Sequence, residues 1–324
     1  MVRNKLSILL RFVISFGLLL VLVWIMRKDA GDVLIILKGA DKALILLAIC
    51  VNLLLSIALA YRLKLLMYGQ KVIVSIKDAI YLTFVGYFYN NFLPTAIGGD
   101  IAKAYYASRS TNNKVASYAA VLADRIIGLV ATLLIALIGL LFIGKSLDNE
   151  LIIWVVPVIF LFTAAAIALL LKKNNRIEIM LSGKKGLFHT VKEKLLKLYT
   201  AINLYRNSPV LLVKGIVLSL ALQTGAIISS YFLILSTSAA GSIPLFRLFL
   251  IIPLVWTVSM LPSLNGLGVR EGAFVYFLKG YIGPEKAFAV SLLWLGLIML
   301  YSVIGGIFQL VYHPIKIGGK DSRD

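Results

Sequence analysis

The chain has one cysteine, Cys50, and two histidines, His189 and His313, in 324 residues. With so few thiols and imidazoles, neither a disulfide framework nor a His/Cys metal site can be assembled, and cysteine use reveals no redox compartment. Carboxylates are scarce too, 14 against 33 Lys and Arg, and charged residues make up only 15% of the chain. No G-x-x-x-x-G-K-[ST] phosphate loop occurs, since the terminal IGGKDS has the wrong spacing, and G-x-S-x-G and H-E-x-x-H are missing as well. The usual signatures of nucleotide-driven, serine-nucleophile and zinc-hydrolase chemistry are therefore absent, and no cofactor or metal is expected.

What remains is apolar and basic: 60% hydrophobic residues with a formal net charge of +19. A soluble domain of this length does not combine the two, so the composition implies a polytopic membrane protein. Lys and Arg gather between the apolar runs, which fits membrane orientation and anionic headgroups rather than a nucleic-acid partner. The expected fold is all-α, a membrane helix bundle at the cell membrane.

Six runs are long enough to span: about 7–26, 43–61, 117–143, 151–171, 211–236 and 287–311. The first follows Arg3 and Lys5 and lacks an A-x-A cleavage pattern, so a retained helix is expected rather than a cleaved signal. Two runs are too short. Ala79 to Leu93 would reach only about 22 Å as a helix against a hydrocarbon core of roughly 30 Å, and Leu248 to Leu261 is shorter and contains Pro253. Both break at Leu-Pro, in FLPTAIGGD and MLPSLNGLGVREG. Two re-entrant hairpins are expected, near 79–110 and 245–283, with Pro94, Gly98, Gly99, Pro262, Gly266 and Gly268 at the breaks. Counting them as hairpins puts the basic segment 172–208 and both termini in the cytoplasm, as the positive-inside rule asks. Phe188, Val191, Leu195, Leu198 and Ile202 recur there at helical spacing, so this linker reads as a basic amphipathic surface helix.

Pro94 and Pro262 lie 262 − 94 = 168 residues apart, and that offset carries the run starting at 43 onto the one starting at 211. The order span, span, hairpin, span thus occurs twice within a single membrane domain, in residues 1–143 and 151–311. With the orientation above, this is an inverted repeat. Such chains place substrate near the midplane, where broken helices of the two halves meet.

Ionised side chains in apolar segments cost about 2.5–3.5 kcal/mol each at the helix centre, which marks them as candidate site residues. They are Asp124 and Arg125 in LADRIIGL, Arg270 and Glu271 after the second break, and Asp100, Lys103 and Arg109 after the first. Arginines and free helix N-termini suit a phosphate, while the carboxylates could pair with them, hold a cation or exchange a proton. The same carboxylates could instead be helix caps or packing pairs. The aromatic residues before the first break, including Tyr81, Phe84 and Tyr87, read as interfacial anchors.

FLPTAIGGDIAKAY, LADRIIGL and LPSLNGLGVREGAF, in that order, resemble the membrane domain of lysylphosphatidylglycerol synthases and their stand-alone relatives, the flippase-like integral membrane proteins. The resemblance covers nearly the whole chain. It implies movement of an aminoacylated phospholipid between leaflets, and related membrane domains occur beside glycosyltransferases that use polyprenyl-linked sugars. The positions matching the family's motifs are Pro94, Gly98, Gly99, Asp100, Asp124, Arg125, Pro262, Gly268, Arg270 and Glu271, with Lys103 where a basic residue often follows GGD. The soluble aminoacyl-transferase domain is missing, so this chain is not expected to make lysyl-lipid. The resulting expectation is a non-enzymatic lipid translocase for a phosphate-bearing lipid. Two alternatives stay open. One is a membrane transferase on lipid-linked sugars with Asp100 or Glu271 as general base; the other is an accessory subunit of a separate glycosyltransferase or aminoacyl-lipid synthase.

Overall fold

The computed structural model describes residues 30–92, 98–111, 113–143, 150–171, 199–201, 203–239, 243–261, 263 and 265–311, with scattered positions at 17–27 and 196. Among the described residues the chain is helical and has no strand. The helices are α1 (Ala30–Gly39), α2 (Lys42–Gly69), α3 (Ile76–Phe92), α4 (Gly98–Thr111), α5 (Lys114–Ile143), α6 (Glu150–Leu171), α7 (Pro209–Ser236), α8 (Leu245–Ser259), α9 (Val269–Ile282) and α10 (Pro284–Val311). Their starts follow local chemistry. Asp41 accepts from the backbone N–H groups of Ala43 and Leu44 at the head of α2, and Asn113 accepts from Ala116 N–H at the head of α5. Pro209 and Pro284 occupy first-turn positions of α7 and α10, where a missing N–H costs nothing.

Four of these helices are long and apolar enough to cross a membrane: α2, α5, α7 and α10. They match four of the six expected runs. The run at 7–26 and most of the basic linker lie outside the described residues, and α6 is described as apolar over Ile153–Ala165. Two sequence-based boundaries change. α2 continues eight residues past 61 through Arg62 and Lys64, because Arg62 is neutralised inside the bundle. The stretch expected to be a loop after the first run contains α1, whose Val33 packs on Phe288 and Ala289 of α10.

Each short run is the first arm of a helical hairpin. α3 has 17 residues and α8 has 15, about 25 and 22 Å of helix, less than a hydrocarbon core. α4 returns antiparallel to α3: Asn90 meets Gly99 near the break, while Tyr81 meets Tyr106 at the far end. α9 returns along α8 likewise, with Ser259 against Gly266 at the break and Arg247 over the Tyr281 ring at the far end. Pro253 does not interrupt α8, which runs through it. Pro94 and Pro262 themselves lie outside the described residues.

The order long, short, short, long therefore appears twice, in α2–α5 and in α7–α10, and the two sets pack across each other. α2 and α7 lie antiparallel along their length: Asp41 N–H donates to Ser236 O at one end (2.9 Å), Arg62 reaches Ser219 further along, and Gly69 approaches Leu211 at the other. Small buried residues on α7, Gly215, Ser219 and Ser229, allow this close approach. α10 seats α3 of the first half, and α5 seats α8 of the second. Both contacts depend on a glycine in the long helix. A Cβ at Gly305 would run into the Phe84 carbonyl, and one at Gly139 would lie 2.6 Å from the backbone of Phe249 and Leu250. The aromatics expected to anchor at the interface are largely part of this packing: Phe84 is buried and stacks edge-on against Tyr87 and Phe308.

Candidate functional site

The end of α3 meets the second break. Asn91, at the end of α3, accepts a hydrogen bond from the Asn265 amide in the second break (2.5 Å). Beside this contact lies a cavity of about 260 Å³ walled by Asn52 and Ser56 of α2, Tyr87, Asn90 and Asn91 of α3, Asn265, and Trp294, Leu297, Ile298 and Tyr301 of α10. Its polar groups come from both halves. Tyr301 donates to the Ile49 carbonyl (2.6 Å), and Tyr87 lies 3.2 Å from the Ser56 hydroxyl, which itself donates to the Asn52 carbonyl. No charged side chain is among the lining residues.

Glycines shape both breaks. Gly99 N–H donates to Asn90 Oδ1 (2.8 Å), and a Cβ on Gly99 would strike the Gly86 carbonyl and the Asn90 amide. Gly98 beside it is also buried. In the second break Asn265, Gly266 and Gly268 all have positive φ, 48°, 79° and 79°, a region that suits glycine and is tolerated by asparagine.

The charged candidates surround the breaks as ion pairs. Glu271 is fully buried: one carboxylate oxygen accepts the Gly268 N–H (2.6 Å), and the other takes two donors from Arg270, the shorter at 2.6 Å. Arg270 also donates to the Asn265 carbonyl (3.4 Å), so this pair fixes the turn that presents Asn265. At the first break, Asp100 in the opening turn of α4 receives Arg125 of α5, with Lys103 Nζ at 3.8 Å. The Lys103 stem is buried over Gly86. Asp100 and Arg125 share a groove of about 170 Å³ with Ile101, Tyr118 and Leu122, and Arg125 remains 36% exposed there. Arg109 lies apart, exposed, with its guanidinium 4.9 Å above the Tyr105 ring.

Asp124 and Arg125 diverge. Successive helix positions point about 100° apart, and Asp124 turns inward to Arg62 of α2, 2.7 Å away and equally buried. Arg62 completes its fork with Ser219 of α7 (2.8 Å) and the Asp124 carbonyl (3.3 Å), joining three long helices. Arg62 and the four asparagines did not emerge from the sequence. Arg62 lies just past the apolar run 43–61, and ionised residues alone do not reveal uncharged amides. A lone Asn52 inside LILLAICVNLLLSIALA was the available signal, because a buried amide also needs partners. Among the described residues no group of three or more His, Cys, Asp or Glu could hold a metal.

A helical bundle with four apolar spans, paired short hairpins and ion pairs beside their breaks defines a polytopic integral membrane protein. The chain belongs to the family described as lysylphosphatidylglycerol synthase TM region, whose sequence profile matches residues 8–306. It is 25% identical over 338 aligned residues to UPF0104 membrane protein PH1989 of Pyrococcus horikoshii, an alignment covering 94% of this chain and 97% of that protein. No solved structure matches it.

Proposed function

We propose that this protein is a lipid translocase that carries a phosphate-bearing lipid, such as an aminoacylated phospholipid or a polyprenyl-phosphate-linked sugar, between leaflets. The observation that carries the proposal is the contact of the end of α3 with the second break through Asn91 and Asn265, beside a cavity lined by amides and hydroxyls from both sets of helices. Polar side chains inside membrane helix bundles are costly to keep and by default mark a substrate path. The antiparallel course of α2 and α7, together with the twofold helix order, supports an inverted repeat, with substrate held where the halves meet. Family membership supports a lipid as cargo.

The cavity receives the part of the headgroup beyond the phosphate, while the chains stay against the outer wall, where Leu54, Leu141, Val217 and Leu310 are exposed. Arg125, the half-exposed member of its pair, receives the phosphate. It lines a separate groove with Asp100, and Asp100 directly follows Gly99, whose N–H the cavity residue Asn90 accepts. Arg270 and Glu271 position the second break. The basic segment 172–208 and the two termini face the cytoplasm, and the protein resides in the cell membrane.

Headgroup accessibility in proteoliposomes tests this. Wild type should move at least one phosphate-bearing lipid faster than protein-free vesicles do, and Arg270→Ala should lose most of that rate. Equal rates for wild type, Arg270→Ala and empty vesicles, across phospholipid and polyprenyl-phosphate probes, would overturn it.

A further inference from the structure

The central cavity is built for hydrogen bonding without charge, and the hydrogen bonds already made around it show what is left over. Asn90 uses its oxygen to accept Gly99 N–H, and its Nδ2 has no partner among the described residues. Asn52 donates to the Ala48 carbonyl and to the Ser229 hydroxyl, leaving its Oδ1 without one. Asn265 donates to Asn91, and its own Oδ1 is likewise left over. Among the described residues the cavity thus keeps one unused amide donor group, on Asn90, and two unused oxygen acceptors, on Asn52 and Asn265.

That mixture discriminates between headgroup chemistries. A phosphate only accepts and an ammonium only donates, whereas a hydroxyl does both. An anion here would meet no cation, because Arg62 and Arg270 are each bound to a buried carboxylate. A cation would meet no carboxylate, because none is among the residues that line the cavity. Placing an unpaired ion in such surroundings is strongly unfavourable. Trp294 and Tyr301 line the same cavity with flat apolar rings, a surface suited to the C–H face of a sugar.

We infer that the cavity recognises an uncharged sugar carried at the end of the lipid, and that it selects against ionic terminal groups. This rests on the translocase proposal and narrows its substrate. The phosphate remains at Arg125, outside the cavity, while the hydroxyls of the sugar bridge Asn90, Asn52 and Asn265.

The test uses three lipids with one fluorescent acyl chain and one phosphodiester, differing only in the terminal group: phosphatidylglucose, phosphatidylserine and lysyl-phosphatidylglycerol. In proteoliposomes read out by an impermeant reductant, phosphatidylglucose should cross at least tenfold faster than the other two. Asn265→Gly keeps the positive φ of the turn but removes the amide, and Asn52→Leu removes a second contact on a different helix; each should abolish the preference. Serine or lysyl headgroups crossing as fast as glucose would overturn the inference and leave the translocase proposal standing. If none of the three crosses faster than in empty vesicles, the translocase proposal fails for these lipids. Binding in phosphatidylcholine nanodiscs then decides the inference. Short-chain phosphatidylglucose that shifts tryptophan emission in wild type, and not in Trp294→Phe, upholds a sugar site, while no shift in wild type removes it.

Discussion

Asn91 and Asn265 are 174 residues apart in sequence, and their side chains are joined by a hydrogen bond of 2.5 Å. Asn91 ends the first short helix and Asn265 lies in the second break, so one contact joins the two sets of helices. With Cys50 replaced by Ser, the pair Asn91→Cys and Asn265→Cys should be joined by a short bis-methanethiosulfonate, which forms a disulfide with each thiol. Cleavage between the two sites should then leave the fragments linked on a gel. Cross-linking should bring lipid movement down to that of empty vesicles, with recovery on reduction. Failure to link would place the end of α3 apart from the second break.

Removing one partner of the buried Arg62–Asp124 pair strands the other charge among three helices. Asp124→Leu or Arg62→Met alone should each destabilise the protein by about 3–5 kcal/mol. The double replacement should recover most of that loss, since an apolar pair of similar size leaves no buried charge. Thermal unfolding in detergent of the four proteins forms the cycle, and additive losses would show that the two residues are not coupled.

Neighbouring glycines on α10 should behave differently. At Gly305 an added Cβ meets the Phe84 carbonyl, which is backbone and cannot swing away; at Gly306 it meets the Phe88 ring 3.0 Å away, which can. Gly305→Ala should therefore lower stability by about 1–3 kcal/mol, the range for overpacking, and Gly306→Ala by less. At Gly296, where nothing lies within 4 Å, Ala should be tolerated. An equal effect at all three would argue against close seating of α3 on α10.

The carboxylates at the two breaks differ in exposure, and their neutral variants should differ accordingly. The Glu271 side chain is fully buried, while that of Asp100 is 22% exposed beside a half-exposed arginine. Glu271→Gln should cost about 3–5 kcal/mol by leaving Arg270 buried and unpaired. Asp100→Asn should cost about 0–1 kcal/mol, the range for solvent-screened pairs. The comparison is made by thermal unfolding, and a larger loss at Asp100 would reverse the roles assigned here.

Much of the scaffold could be read from residue order. Long apolar runs need the bilayer or each other, so α2, α5, α7 and α10 follow from hydropathy alone. The two truncated runs and the glycines after them pointed to the turns, because short helices cannot span; in the structure Gly99 sits tightly against Gly86 and Asn90, while Gly266 and Gly268 take positive φ. The spacing of 168 residues anticipated the duplicate helix order. Ionised residues in apolar surroundings pointed to Asp100, Asp124, Arg125, Arg270 and Glu271, since such charges must find partners.

The choice of partner belonged to the tertiary structure. Helical periodicity fixes which way a side chain points, but not which helix arrives at that face. Thus Asp124 was found with Arg62 from 62 residues away, while Arg125, its neighbour in the chain, turned to Asp100. The asparagine-lined cavity was likewise decided only when α2, α3, α10 and the second break converged. No single segment contains a site there; the amides become one because helices from both halves close around them.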